Sequence, residues 1–173
     1  MPLFSRKRSE APSRGSGGRS AAILVDPSLP DAEWLTKSEA AYETTVSGYY
    51  GSPETMAEGG KVNYGLTNFG VALFFYQKSI DMLHTQYLFM EMRCRQPSPA
   101  DVWIVEGYVN SLGASLSMHP TAPVAESVRE VTHRLRTISS ACQRFGIPDR
   151  LYMGALETMA RDAPDVNVDD IFW

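Results

Sequence analysis

His84, His119 and His133 are the side chains best suited to move a proton or bind a metal near neutral pH, so their spacing decides what they could do. None falls in an HExxH pattern, which would set two imidazoles one helical turn apart with a glutamate as base. His84 lies one turn from Asp81, and His133 one turn from Arg129 and Arg136, so a helical active site would have to be built from isolated pairs. Cys94 and Cys142 form no CxxC pair and have no histidine at ligand spacing, which argues against zinc-binding and thioredoxin-like chemistry. No GxSxG, P-loop or GxGxxG occurs, and Gly15-Ser16-Gly17-Gly18 lacks the strand and helix that a phosphate loop requires. The expectation is a non-enzymatic protein with no metal and no cofactor. Its histidines then serve as core or surface residues, and its cysteines as small core residues in a reducing compartment.

These groups must be positioned by helices. The stretch Leu66 to Met92 is rich in Phe, Tyr, Leu and Met, contains no Pro and has Gly only at position 70. Apolar side chains on nearly every side require such a helix to be covered by others, so it is the expected centre of an all-α domain. At 173 residues and 43% apolar composition, the chain is long enough for one domain with a real core. Charged residues interrupt every apolar run before bilayer length, and no secretory signal follows Arg6-Lys7-Arg8, which places the protein in the cytoplasm.

Around the central stretch the punctuation predicts five or six helices in an antiparallel bundle or short array. Ala22 to Val25 reads as an extended strap closed by Asp26-Pro27. Asp31, after Pro30, can cap a helix reaching about Val46. Ser52-Pro53-Glu54 is a helix start, with a stop or hinge expected at Gly59-Gly60 because each glycine costs a helix about 1 kcal/mol relative to Ala. Pro97 and Pro99 break the chain, and Ser98 or Pro99 opens a helix ending at His119-Pro120. Val124, Val128, Val131, Leu135, Ile138, Cys142 and Phe145 then repeat at spacings of four and three, a heptad seam expected to pack antiparallel against its neighbour. Gly146 and Pro148 end it, and Asp149 opens a last helix to about Arg161.

Charge is distributed unevenly. Residues 1–20 carry Arg6, Lys7, Arg8, Arg14 and Arg19 against Glu10, whereas the whole chain has a net charge of −4. The acidity therefore belongs to the body, and the first twenty residues read as a disordered basic arm able to attach to nucleic acid or an anionic membrane. Residues 21–164 form the single helical domain. Residues 165–173 form an acidic tail ending in Ile171, Phe172 and Trp173, which resembles a linear motif that docks aromatic anchors while its acids steer towards a basic partner. Self-association through this tail is one variant.

Phe69, Ala72, Tyr76 and Ser79 follow the aromatic and small-residue spacing of the second helix of a tetratricopeptide repeat, which the central helix resembles. Leu112, Gly113 and Leu116 fit first-helix places, and Ala125 fits the small-residue place of the following helix. The resemblance implies a helical array with a concave surface that binds a partner's peptide through Asn, Lys or Arg side chains. By type, Asn63, Asn68, Asn110 and Arg129 are the candidates. The expected function is an adaptor or assembly subunit binding a protein through a helical groove or its tail, with the polyanion-tethering arm as the alternative. A small-molecule receptor would instead need a cavity around Phe74, Phe75 and Tyr76.

Overall fold

In the computed structural model the apolar stretch folds as α3 (Phe69–Phe89), and four other helices lie against or around it. The structure describes residues 21–89, 96–122 and 125–164. Within these are α1 (Asp31–Thr45), a 3-10 turn (Val46–Tyr49), α2 (Pro53–Gly65), α3, α4 (Pro99–Met118), α5 (Ala125–Arg144) and α6 (Arg150–Asp162), with no strand among the described residues. The all-α expectation holds, with six α-helices among the described residues.

Packing sorts the helices into two layers. α3 contacts α1 and α5, α4 contacts α2 and α6, and across the layers α3 meets α2 and α4 while α5 meets α6. Gln77 of α3 faces Ser127 and Glu130 of α5, and Asp81, one turn on, faces Arg134, one turn on. Side by side within their layer, α3 and α5 therefore run parallel. This is the geometry expected when the chain reverses at each connection and alternates between an α1–α3–α5 layer and an α2–α4–α6 layer.

Local signals explain most helix ends. The Ser52 hydroxyl accepts the Thr55 amide at 3.1 Å with Pro53 in the first helical position. Ser98 and Asp101 form a reciprocal capping box, with the Asp101 amide donating to Ser98 at 3.2 Å and the Ser98 amide donating to Asp101 at 3.0 Å. Gly146 ends α5 with a φ of 68°, its amide bonded to Gln143 and that of Ile147 to Cys142. The same double bond closes α2 through the amides of Thr67 and Asn68, but there the left-handed position holds Thr67 at a φ of 56°.

Three expectations require correction. α2 does not stop at Gly59-Gly60 but runs through both to Gly65. A Cβ at Gly59 would sit 2.5 Å from the Phe75 ring, and one at Gly60 2.7 Å from the Tyr76 ring, so the pair forms two sockets into which α3 lays its aromatics. Bare backbone is needed there for close approach, and the contact with α3 offsets the propensity cost. Asp31 does not cap α1. Its carboxylate instead accepts from the backbone amide and hydroxyl of Thr121 and from Nδ1 of His119 at 2.9 Å, tying the start of α1 to the end of α4. The heptad seam of α5 is buried from Val128 to Cys142, but Phe145 lies past the last helical residue and is exposed; Val124 lies outside the described residues.

The core has two parts. The larger joins Leu73, Ile80, Ile104, Tyr108, Leu135, Ile138 and Met159 with their neighbours from α3 to α6. The smaller lies between α1, the 3-10 turn, α2 and α3, where Phe75 meets Tyr42 and Tyr49 edge-on with ring centres 5.1 Å apart in both cases. Phe75 and Tyr76 are thus packed into protein, and Phe74 is half-buried beside Tyr42. The strap reading also holds. The Asn68 side chain donates to the Ile23 carbonyl at 2.9 Å and accepts the Val25 amide at 3.2 Å, while Val25 packs on both core clusters.

Candidate functional site: a groove across the second layer

The four candidates on the body separate by burial. Asn63 and Asn68 are buried, with Asn63 donating to the Gly59 carbonyl and accepting from Asn68. Together with the strap bonds of Asn68, these contacts make the pair an internal polar relay that leaves neither amide facing solvent. Arg129 is exposed on α5, in the other layer. Asn110 is exposed on α4 in the middle of the α2–α4–α6 face, where it borders two open recesses. Ile171, Phe172 and Trp173, with Arg6, Lys7, Arg8, Arg14 and Arg19, lie outside the described residues.

Two recesses meet at Asn110. The first, about 410 Å³, opens between α2 and α4, with Lys61, Tyr64, Trp103 and Glu106 around it and Tyr76 as its floor. The second, about 450 Å³, opens between α4 and α6, bordered by Val109, Arg150, Leu151, Gly154 and Thr158. Glu106 and Asn110 line both, so they form the ridge between two halves of one groove. The groove floor is set by packing. Gly60 and Gly107 leave room on opposite sides for the Tyr76 ring, so α2 and α4 straddle it. Burial, together with the nearby Tyr64 phenol, pushes the Tyr76 hydroxyl up to about 12, so it is a neutral floor at physiological pH.

The walls carry a cation at each end, Lys61 and Arg150, with Glu106 between them. Lys61 and Tyr64 are three residues apart on α2, and Trp103, Glu106 and Asn110 stand at i, i+3 and i+7 on α4, so each helix presents one stripe to the groove. That stripe was available in the sequence as the complement of the buried Val105, Tyr108 and Leu112. It was overlooked because the residues fit no chemical motif. An amide, charges, an exposed tyrosine and a half-buried tryptophan at such spacing suit the recognition of a peptide backbone and its side chains.

The opposite layer offers a contrasting surface. Tyr42, Phe74, Gln77, Lys78, Asp81, Glu130 and Arg134 border a recess of about 210 Å³, but its charges are already paired. Asp81 bonds Lys78 at 3.0 Å and Arg134 at 2.8 Å, and Arg134 reaches Glu130 at 3.4 Å. Burial acts to raise the Asp81 carboxyl, yet the bonds and charges of Lys78 and Arg134 hold it below its ordinary value. His84 and His133 meet beside this network with ring centres 6.5 Å apart, and burial followed by the charges of Arg134 and His133 lowers the His84 imidazole. His119, by contrast, is buried and stacked on Trp34 at 4.0 Å, so it serves the core.

Among the described residues no cluster of three or more His, Cys, Asp or Glu could hold a metal ion, and no helix is long and apolar enough to cross a membrane. Cys142 is buried in the larger core; Cys94 lies outside the described residues. Comparison with protein-family models, with curated proteins and with solved structures finds no match.

Proposed function

We propose that this chain is a non-enzymatic interaction protein, an adaptor or assembly subunit, that receives an extended peptide across its α2–α4–α6 layer. The observation that carries the reading is the pair of open recesses joined at Glu106 and Asn110. An extended peptide spans both halves, whereas a compact small molecule would fill one. Asn110 offers both a donor and an acceptor to a passing backbone, Trp103 and Tyr64 offer faces for an apolar or aromatic anchor, and Lys61, Glu106 and Arg150 set the preferred order of charges. The alternation of two parallel layers also agrees with the tetratricopeptide-like reading, in which one layer lines the binding surface. That reading rests on arrangement and on the buried Ala72, Tyr76 and Ser79, all of which face helix contacts.

Selection of displayed peptides on the immobilised full chain tests the proposal. Enriched peptides should bind the wild type in titration and bind Trp103→Ala about 30-fold more weakly, the loss expected of an anchor contact near 2 kcal/mol. Asn110→Ala should cost less but in the same direction. Circular dichroism establishes that both variants are folded. Peptides that bind wild type and both variants equally would move the site off this layer.

A further inference from the structure

The groove has a candidate occupant on the same chain. α6 forms one wall of the α4–α6 recess, and its last residue, Asp162, lies beside Gly113 of α4, where a Cβ would stand 3.6 Å from the Asp162 carboxylate. Residues 165–173, Asp-Val-Asn-Val-Asp-Asp-Ile-Phe-Trp, follow Pro164 at that end of the groove and lie outside the described residues. A nine-residue segment reaches about 30 Å when extended. Two neighbouring helix spacings of 8–10 Å separate α6 from α2, so the segment can cross α4 and arrive at the α2–α4 recess with length to spare.

Charge and side-chain order agree with that path. The segment carries Asp165, Asp169 and Asp170 but no cation; on the α2 wall the path ends at Lys61, beyond Glu106 on the ridge, while Arg150 stands at the opposite end of α6. In the segment the paired acids precede Phe172 and Trp173 by two to four residues; on the α2 wall Lys61 stands one turn from Tyr64, with Trp103 opposite. An acid on Lys61 therefore places an aromatic ring at Tyr64 and Trp103, above the Tyr76 floor. A recess of about 410 Å³ has room for such a ring.

We infer that residues 165–173 dock in cis into the α2–α4–α6 groove, with Phe172 and Trp173 in the aromatic recess and Asp169 and Asp170 on Lys61. The inference rests on the peptide-groove reading above and names the chemistry the groove prefers, an acidic segment leading into aromatic residues. An external peptide must then displace this segment, so only peptides of the same character compete well. The tether gives the segment an effective concentration on the order of millimolar, which makes even a modest contact the dominant occupant.

The test uses a fluorescein-labelled peptide of residues 165–173, titrated by anisotropy into the wild-type full chain and into the full chain carrying Phe172→Ala and Trp173→Ala. The expected result is binding to the variant on the order of 100-fold tighter than to wild type, because the variant's own segment no longer competes. A second full-length variant, Asp169→Lys with Asp170→Lys, should also bind the peptide more tightly than wild type. Adding Trp103→Ala to the first variant should abolish binding. Equal affinity for wild type and both variants would overturn docking in cis, as would a wild-type affinity for the peptide that rises to that of the variants as the protein is diluted from dimer to monomer, the signature of exchange between copies. No binding to either variant, each folded by circular dichroism, would overturn the assignment of the segment. If selected peptides then still bound through Trp103, the groove reading would stand without this inference; if they did not, both would fall.

Discussion

The two ends of the molecule achieve burial by different means. Among α1, α2, α3 and the facing side of α4 the contacts are rings against bare backbone: Phe75 over Gly59, Tyr76 between Gly60 and Gly107, and Trp34 with Ser38 against Gly70. Between α5 and its neighbours the contacts are aliphatic side chains repeated at heptad spacing, with Val128, Val131, Leu135 and Ile138 all fully buried. The first arrangement depends on a shape match at a few points, the second on the summed burial of many similar groups. Glycine sockets set the separation of α2 and α4 and with it the floor of the α2–α4 recess; the α5 seam supplies burial, and no α5 residue lines either half of the groove.

The largest expected effect lies on the seam. Leu135→Ala should lower the unfolding free energy by about 2–5 kcal/mol, read by urea denaturation, since it removes buried methyl groups and leaves a cavity. Peptide binding by the remaining folded protein should be unchanged. A loss of binding in that folded fraction would break the division of labour between seam and sockets.

The next effect separates sockets from ordinary helical glycines. Gly107→Ala should destabilise by about 1–3 kcal/mol, because the new methyl group meets the Tyr76 ring, which is itself held on the other side by Gly60. Gly154→Ala, where nothing stands within 4 Å, should instead stabilise by about 0.5–1 kcal/mol through helix propensity alone. The opposite signs are the sharpest form of the comparison. In a Tyr76→Ala background the penalty at Gly107 should disappear, and persistence of the penalty there would mean that the ring is not its cause.

The smallest effect at neutral pH appears only in acid. The Thr121 hydroxyl, followed by the His119 ring, holds the Asp31 carboxyl below its ordinary 3.8, and Ser139 followed by Gln143 does the same for Asp149. A carboxyl held low in the folded state stabilises above its ordinary pKa and loses that contribution as pH falls through the folded value. The melting temperature should therefore decline below about pH 4, and Asp31→Asn should flatten part of that decline. An unchanged acid profile would show that the tie between α1 and the end of α4 contributes nothing through this group.

Helix number, most helix ends and the apolar centre were legible because they follow from neighbours in sequence. Ser52 before Pro53, Ser98 before Pro99 and Gly146 before Pro148 act within one turn, and periodic apolar residues must share a face wherever the helix goes. Gly59 and Gly60 were misread for the complementary reason: in isolation two glycines weaken a helix, and only the rings of Phe75 and Tyr76 give them a purpose. Asp31 behaved likewise, since its partners His119 and Thr121 lie some ninety residues away. Of the candidate site, Asn110 could be singled out by type, but Asn63 and Asn68 could not be told from it, because all three are the same amide until burial divides them. The sequence by itself determined which segments become helices and which faces seek cover, as short-range propensity and periodicity require. Only the tertiary structure decided that α2, α4 and α6 share a layer, and hence that Lys61, Trp103, Asn110 and Arg150 border one groove, because the spacing of those helices is set by side chains on a different helix.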